Sequence, residues 1–455
     1  MKLLGLTPFQ LGLLTILGIG VSSLFTPYPE KLARVMLNRE TPQAPKEKEN
    51  TAPAKPQPIP IQQAEEPATW SPTASFKMAD INLPPFPPVL PERIEIGRFE
   101  HVNSMARGIN ISNNVNFTQG GTATEDRKKR EAYQLDISLN LFSPKAATGE
   151  NLLAANPELK KVLPAYDALM QNAHVSTWFN AIYQHKQNRV RKNTATLSRL
   201  LDRHNYYDTD TVLEITAPHT ARKALWVQAD MDVVSDGSDG DRLADMPEQI
   251  KQGVTYQYST SYFWRKKTDK PNPLLPAWEA KLKRHEAEKD KKSIESTKKV
   301  IADLKLFSYL LAEYDPFIVI PLTFKNGDTD NNKAYRPEPG DYAVVIVDNR
   351  VFPAIVGDYG PKFKTGEASL RLCKAVNNKA SIHSRAVSDL GASYIIFPGT
   401  KEPTKGPIDY ARLNTRCREL LNEMGGIGQE AQFIEMEDLL PQPKPEQKTT
   451  EPQKQ

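Results

Sequence analysis

Two apolar runs, 342–347 and 351–356, are separated only by Asp348, Asn349 and Arg350, and this pattern predicts a β-hairpin with a short turn. The second run ends at Gly357 and leads into GDYGPKFKTGEASLRL, residues 357–372. The glycines and the proline of that stretch predict a loop that begins at Asp358, turns at Gly360-Pro361 and bends again at Gly366. Residues 368–376 then predict a helix, with Leu370, Leu372, Cys373 and Val376 tending to one face. The loop therefore carries two carboxylates, Asp358 and Glu367, nine positions apart, between a strand and a helix. Two carboxyl groups so placed suit general acid–base chemistry. The same residues also read as an aspartate in a turn and a glutamate in the first turn of a helix, where acids are favoured.

Composition narrows the setting. The 455 residues give room for one large domain or two ordinary ones, but 37 prolines imply that part of the chain is not packed. A net charge of +4 makes no general case for nucleic-acid binding. Cys373 and Cys417 cannot build a disulfide framework and read best as reduced core residues. No HExxH, CxxC or histidine-rich cluster occurs, so no metal site and no cofactor are expected.

The order of segments is also legible. Residues 3–25 form an apolar run about long enough to span a bilayer. Segment 1–26 reads as a membrane anchor, with a cleaved secretory signal as the competing reading. Either one places the protein outside the cytoplasm, anchored or secreted. Residues 27–97 are rich in Pro, Ala, Gln and charge, and read as a disordered linker. A helical extension is expected over 98–204, with a strand at 132–141, helices at 156–172 (kinked at Pro164) and 176–201, and a solvated basic face at 186–192. A folded domain is expected over 205–426, with short strands at 211–215, 224–227, 316–321 and 393–397 and one long helix at 278–311. Residues 427–455 read as a disordered tail.

Between 228 and 242 lie five aspartates, among them Asp230 and Asp232. The spacing is not that of an EF-hand loop, and no closing glutamate follows. A calcium loop of another kind, a plain surface turn and an acidic wall for a cationic substrate are the three readings.

Four stretches recur together: ADMDV at 229–233, PFIVIP at 316–321, AIVGDYGP at 354–361 with TGEAS at 365–369, and YIIFPG at 394–399. This set resembles family 75 of the glycoside hydrolases, the endo-chitosanases best known from fungi, over about 205–399. The resemblance implies endo-cleavage of the β-1,4 bonds of chitosan with inversion, by an Asp and a Glu that fall here on Asp358 and Glu367. No metal is needed for that chemistry. The segment is also similar to the central turn of double-psi β-barrel proteins, which implies a mainly β (α+β) fold: a six-stranded double-psi-like barrel with peripheral helices. Chitosan is a polycation, so a cleft for it should offer carboxylates and aromatic rings. Asp230 and Asp232 are the candidates for the first, and Trp226, Tyr262 and Trp264 for the second. A wall enzyme acting on peptidoglycan with the same barrel, or an anchored carbohydrate-binding protein without turnover, are the alternatives. The sequence departs from the family in lacking cysteines near the aspartate-rich stretch and in the Lys/Glu-rich insertion before 316.

Overall fold

A computed structural model describes residues 118–441 apart from 199, 202, 248–254 and 326–329. The expected anchor (1–26), the linker (27–97), the start of the extension and the part of the expected tail beyond 441 lie outside the described residues. The tail's first part, 427–441, is ordered against expectation, because Gln432 and Phe433 pair with Arg350 and Val351 and Asn414 binds the Met436 backbone. Among the described residues, no helix is long and apolar enough to cross a membrane.

The chain forms eleven described strands: β1 (Ala173–Val175), β2 (Thr209–Thr216), β3 (Lys223–Val234), β4 (Phe263–Arg265), β5 (Phe307–Tyr309), β6 (Phe317–Pro321), β7 (Tyr342–Val347), β8 (Arg350–Gly360), β9 (Glu367–Ser369), β10 (Arg385–Ile396) and β11 (Gln432–Phe433). Six of them close into a barrel in the order β3-β10-β7-β8-β6-β9, with β9 returning to β3. The β3–β9 and β6–β8 pairings are parallel, and the other four are antiparallel. β2 and then β1 extend the sheet from β3, and β4 pairs with β5 apart from the barrel.

The hairpin forms as its pattern predicts. β7 and β8 pair from Tyr342 opposite Ile355 to Val347 opposite Arg350, and Asp348 takes the left-handed conformation at the turn (φ 54°). Every residue of β6 and β7 is buried, because both faces of the closed sheet are covered. Five longer helices matter here: α1 (Thr177–Ala195), α2 (Leu275–Ala287), α3 (Lys291–Leu306), α4 (Leu370–Val376) and α5 (Tyr410–Glu423). α5 lies against the hairpin, where the Cys417 thiol reaches the Ala343 carbonyl (3.4 Å). Both cysteines are free and buried. The extension shares the barrel's core: Leu152, Tyr166, Trp178 and Ile182 pack into the same apolar cluster as Trp226, Phe317 and Phe352.

Several expectations are corrected. No strand forms at 132–141; the segment pairs with no edge, and Tyr133 and Leu135 are exposed. The expected long helix at 278–311 is two, broken where Lys289 adopts φ 57° and Asp290 caps α3 by accepting from Ser293 N. Its last residues become β5. The basic run at 186–192 is not uniformly solvated. Lys186 is fully buried and donates to Asp208, Tyr206 O and Thr209 Oγ1. The physical reason is periodicity: Phe179, Tyr183, Lys186 and Val190 fall on one face of α1, and that face is inward.

β8 continues to Gly360 rather than ending at Gly357, so Asp358 is a strand residue and not the start of a loop. Gly357 serves close packing: a Cβ there would lie 2.5 Å from the Phe317 ring. Gly357→Ala is expected to destabilise the protein by about 1–3 kcal/mol through overpacking, measurable by denaturant unfolding.

Candidate active site

Strand pairing positions the two carboxylates. Val319 of β6 is the register partner of Asp358 on one side and of Glu367 on the other. Two strand spacings therefore separate their backbones, roughly 10 Å. Glu367 lies on β9, not at a helix start; Ser369 caps α4 instead, accepting from Leu372 N. The Glu367 side chain reaches towards β8. A Cβ built on Gly360 would sit 2.6 Å from Glu367 Oε2. Gly360 is two residues from Asp358, so both carboxylates lie over one face of β8 near its end. Both are largely buried, with 8 % of Asp358 and 3 % of Glu367 exposed.

Asp358 is held by converging donors. Its Oδ1 accepts from Ser261 N (2.9 Å), from Ser261 Oγ and from Tyr359 N (2.7 Å). Three donors on one oxygen suit a carboxylate acting as acceptor only. The neighbouring Tyr262 N donates to Gly357 O (2.8 Å), which fixes the 260–262 segment along β8. Ser261→Ala removes the hydroxyl donor. Should Asp358 act as a catalytic base, that loss is expected to lower kcat about 10-fold or more, since a hydrogen bond to a charged group contributes roughly 1.5–3 kcal/mol, with KM nearly unchanged in steady-state assays.

Glu367 faces a buried ionic network. Asp232 on β3 is its register partner across the parallel β3–β9 pair. Lys364 Nζ binds Asp232 Oδ2 and lies 3.8 Å from Glu367 Oε1. Arg385 Nε binds the other oxygen of Asp232. Burial alone would push the Asp232 carboxyl up, but the Lys364 and Arg385 charges hold it well below the usual carboxylate range. Burial likewise opposes the charge on Lys364, but the Asp232 and Glu367 carboxylates raise it above its ordinary value. Asp230, two residues earlier on β3, accepts from or donates to His204 Nε2 at 2.7 Å. Burial, and then the charge of Asp232, push the Asp230 carboxyl well above its ordinary value.

His204, Asp230 and Asp232 bring ligand-type atoms within 4.8 Å of one another. The donor set does not suit a cation. Asp232 already meets Lys364 and Arg385, Asp230 meets His204, and an added ion would face two neighbouring positive charges.

The structure brings together Asp358 and Glu367, and places Asp232 beside Glu367. It does not offer Asp230 and Asp232 to a ligand's ammonium groups, because both are buried and committed to internal partners. Trp226 is a core residue, not a platform: it is fully buried, packs edge-on against Tyr166 and donates from Nε1 to Gln228 Oε1 (3.2 Å). Tyr262 and Trp264 follow Ser261 and lie near the site in the chain, but both rings are buried. The Trp264 ring is covered by the Arg242 guanidinium, 5.2 Å from its centroid. Sequence reasoning missed Ser261, Lys364 and Arg385. Lys364 carried a signal, as a cation placed three residues before one of the paired acids.

Residues 231–430 match a family model described as fungal chitosanase of glycosyl hydrolase group 75. That span contains both carboxylates, Lys364, five of the six barrel strands entire and the end of β3. No curated protein matches the chain.

Proposed function

Because the region spanning 231–430 belongs to glycosyl hydrolase group 75 and is a chitosanase-type glycoside hydrolase, we propose that Asp358 and Glu367 are its base and acid in an inverting endo-cleavage of β-1,4 bonds in chitosan. In that reaction Glu367 gives its proton to the glycosidic oxygen as the bond to the anomeric carbon breaks. Asp358 takes a proton from the water that attacks the same carbon from the opposite face. One bond and one water are consumed, two sugar ends are formed, and solvent exchange restores both carboxyl groups.

The observation that carries this reading is the shared partner Val319, which holds the two carboxylates on opposite neighbours of one buried strand. Inverting enzymes keep their carboxyl groups about 6.5–9.5 Å apart to admit water. Backbones about 10 Å apart, with the longer glutamate side chain reaching inward, are compatible with that range. The roles follow from the surroundings. Three donors on one Asp358 oxygen favour a resting carboxylate, as a base requires. Glu367 is the more buried of the two, as suits an acid that must hold its proton. The parallel β3–β9 and β6–β8 pairings that bring these strands together support the double-psi reading of the barrel. We place the domain outside the cytoplasm, on the apolar run at 3–25 and the proline-rich stretch that follows it.

Incubation of the protein with chitosan, chitin and peptidoglycan in parallel, with reducing ends and product masses followed over time, tests the substrate. Oligomers from chitosan are expected. Turnover of peptidoglycan with none of chitosan would transfer the same carboxylates to a wall enzyme.

A further inference from the structure

We propose that Lys364 is a positioning residue for the reaction: bound to Asp232 and set against Glu367, its ammonium steadies the Glu367 carboxylate that proton donation leaves behind. The inference rests on the reading of Glu367 as the acid. Its ground is geometry. The ammonium lies 3.8 Å from Glu367 Oε1 and in direct contact with Asp232, on a side chain that is 3 % exposed. Such a buried charge is screened much less than one at the surface.

The division of that charge matters. If Lys364 answered to Glu367 alone, the acid would be held ionised and could not donate. Asp232 prevents this by competing for the same ammonium, and it is itself shared with Arg385 from β10. Other groups lie close to Glu367 as well. Asp230 lies on β3 and is engaged with His204; Tyr394 on β10 donates to Asp230 O (2.7 Å); Cys373 on α4 contacts the Ala368 carbonyl. On β8 the facing groups are Gly360 and Asp358, and on β6 the apolar Val319. Lys364 thus sets a cation against the acid, and Asp232 sets how much of its charge the acid feels.

The backbone supports this placement. Gly366, two residues from Lys364, takes φ 69° and packs so closely on Asp230 that a Cβ would lie 2.3 Å from Asp230 Oδ1. Thr365 Oγ1 is 2.6 Å from Thr209 Oγ1, within the cluster that Lys186 anchors. These contacts tie the turn down just after Lys364, Thr323 Oγ1 ties it down before by donating to Lys362 O (2.7 Å), and the Lys364 side chain between them is buried.

The test is the pH profile of kcat/KM on chitosan. A general acid must be protonated, so activity falls as pH rises through its pKa and the alkaline limb reports Glu367. Lys364→Met removes the cation and should move that limb to higher pH by about one unit. Asp232→Asn releases the ammonium to Glu367 and should move it to lower pH. Lys364→Arg keeps the charge and should leave the limb near its original place. Opposite shifts in the first two support the proposal. An unmoved limb in both, or shifts of the same sign, overturn it. If a variant does not fold, as judged by circular dichroism, the carboxyl of Glu367 is followed directly in the parent protein by carbon NMR, assigned by its loss in Glu367→Gln. Its titration must lie at lower pH in the parent than in Lys364→Gln, the second neutral variant; coincident titrations overturn the proposal. Full turnover by Glu367→Gln would instead remove the acid assignment on which the inference rests, so the two failures are distinct.

Discussion

Replacement of Glu367 by glutamine is expected to lower kcat on chitosan about 10²–10⁴-fold while the protein unfolds at nearly the parent's denaturant concentration. The amide keeps the shape of the side chain and can still lie over Gly360. It cannot give a proton to a leaving oxygen. The loss should appear in kcat more than in KM, because the proton moves only as the transition state is reached. Asp358→Asn should act similarly, since an amide cannot accept the proton of the attacking water. Gly360→Ala is a useful companion. A Cβ there would crowd Glu367 Oε2 (2.6 Å) and Val319 Cγ1 (3.0 Å), so activity should fall although both carboxylates remain. Steady-state kinetics on the three variants, beside their unfolding curves, separate lost chemistry from lost structure.

Trp226→Ala has the largest expected effect on stability, a cost of about 3–5 kcal/mol. The indole is fully buried between β2 and β10 on β3, in edge contact with Tyr166 (6.2 Å), and its N–H is satisfied by Gln228. Truncation leaves a cavity and strands the Gln228 oxygen with Ser393 as its remaining partner in that cluster. A sugar platform would behave in the opposite way, raising KM with little change in stability. Denaturant unfolding and KM on chitosan, measured on one variant, decide between the two; the buried position predicts lost stability with KM nearly unchanged in the fraction that stays folded.

That tryptophan shows where sequence reasoning reaches its limit. An aromatic residue four positions before an aspartate looks the same in a cleft or in a core, and only strand pairing tells which face is inward. The hairpin and the buried strand PFIVIP were legible because their apolar runs match a strand's length and their ends carry turn residues. The break before α3 was not legible. Lys and Glu continue on both sides of it, and the chain turns at a lysine with positive φ rather than at a glycine. The glycines of GDYG misled for a related reason. They read as turn formers, whereas Gly357 makes room for the Phe317 ring and Gly360 for the Glu367 carboxylate. The pair Asp358 and Glu367 was legible as chemistry, but its geometry was not. Nine residues of chain do not reveal that both acids flank Val319 on a third strand. Nor could Asp232 be seen as an internal counter-ion, because its partners Lys364 and Arg385 lie more than a hundred residues away in the sequence.

The most direct test of the central claim is the anomeric configuration of the first products. Proton NMR of chitosan oligosaccharides is recorded within minutes of adding the protein, before mutarotation mixes the anomers. Water activated by Asp358 on the face opposite Glu367 predicts new reducing ends that appear first as the α-anomer, with no such signal from Glu367→Gln. First products that appear as the β-anomer, or equal product formation by Glu367→Gln, would contradict the two-carboxylate inverting account.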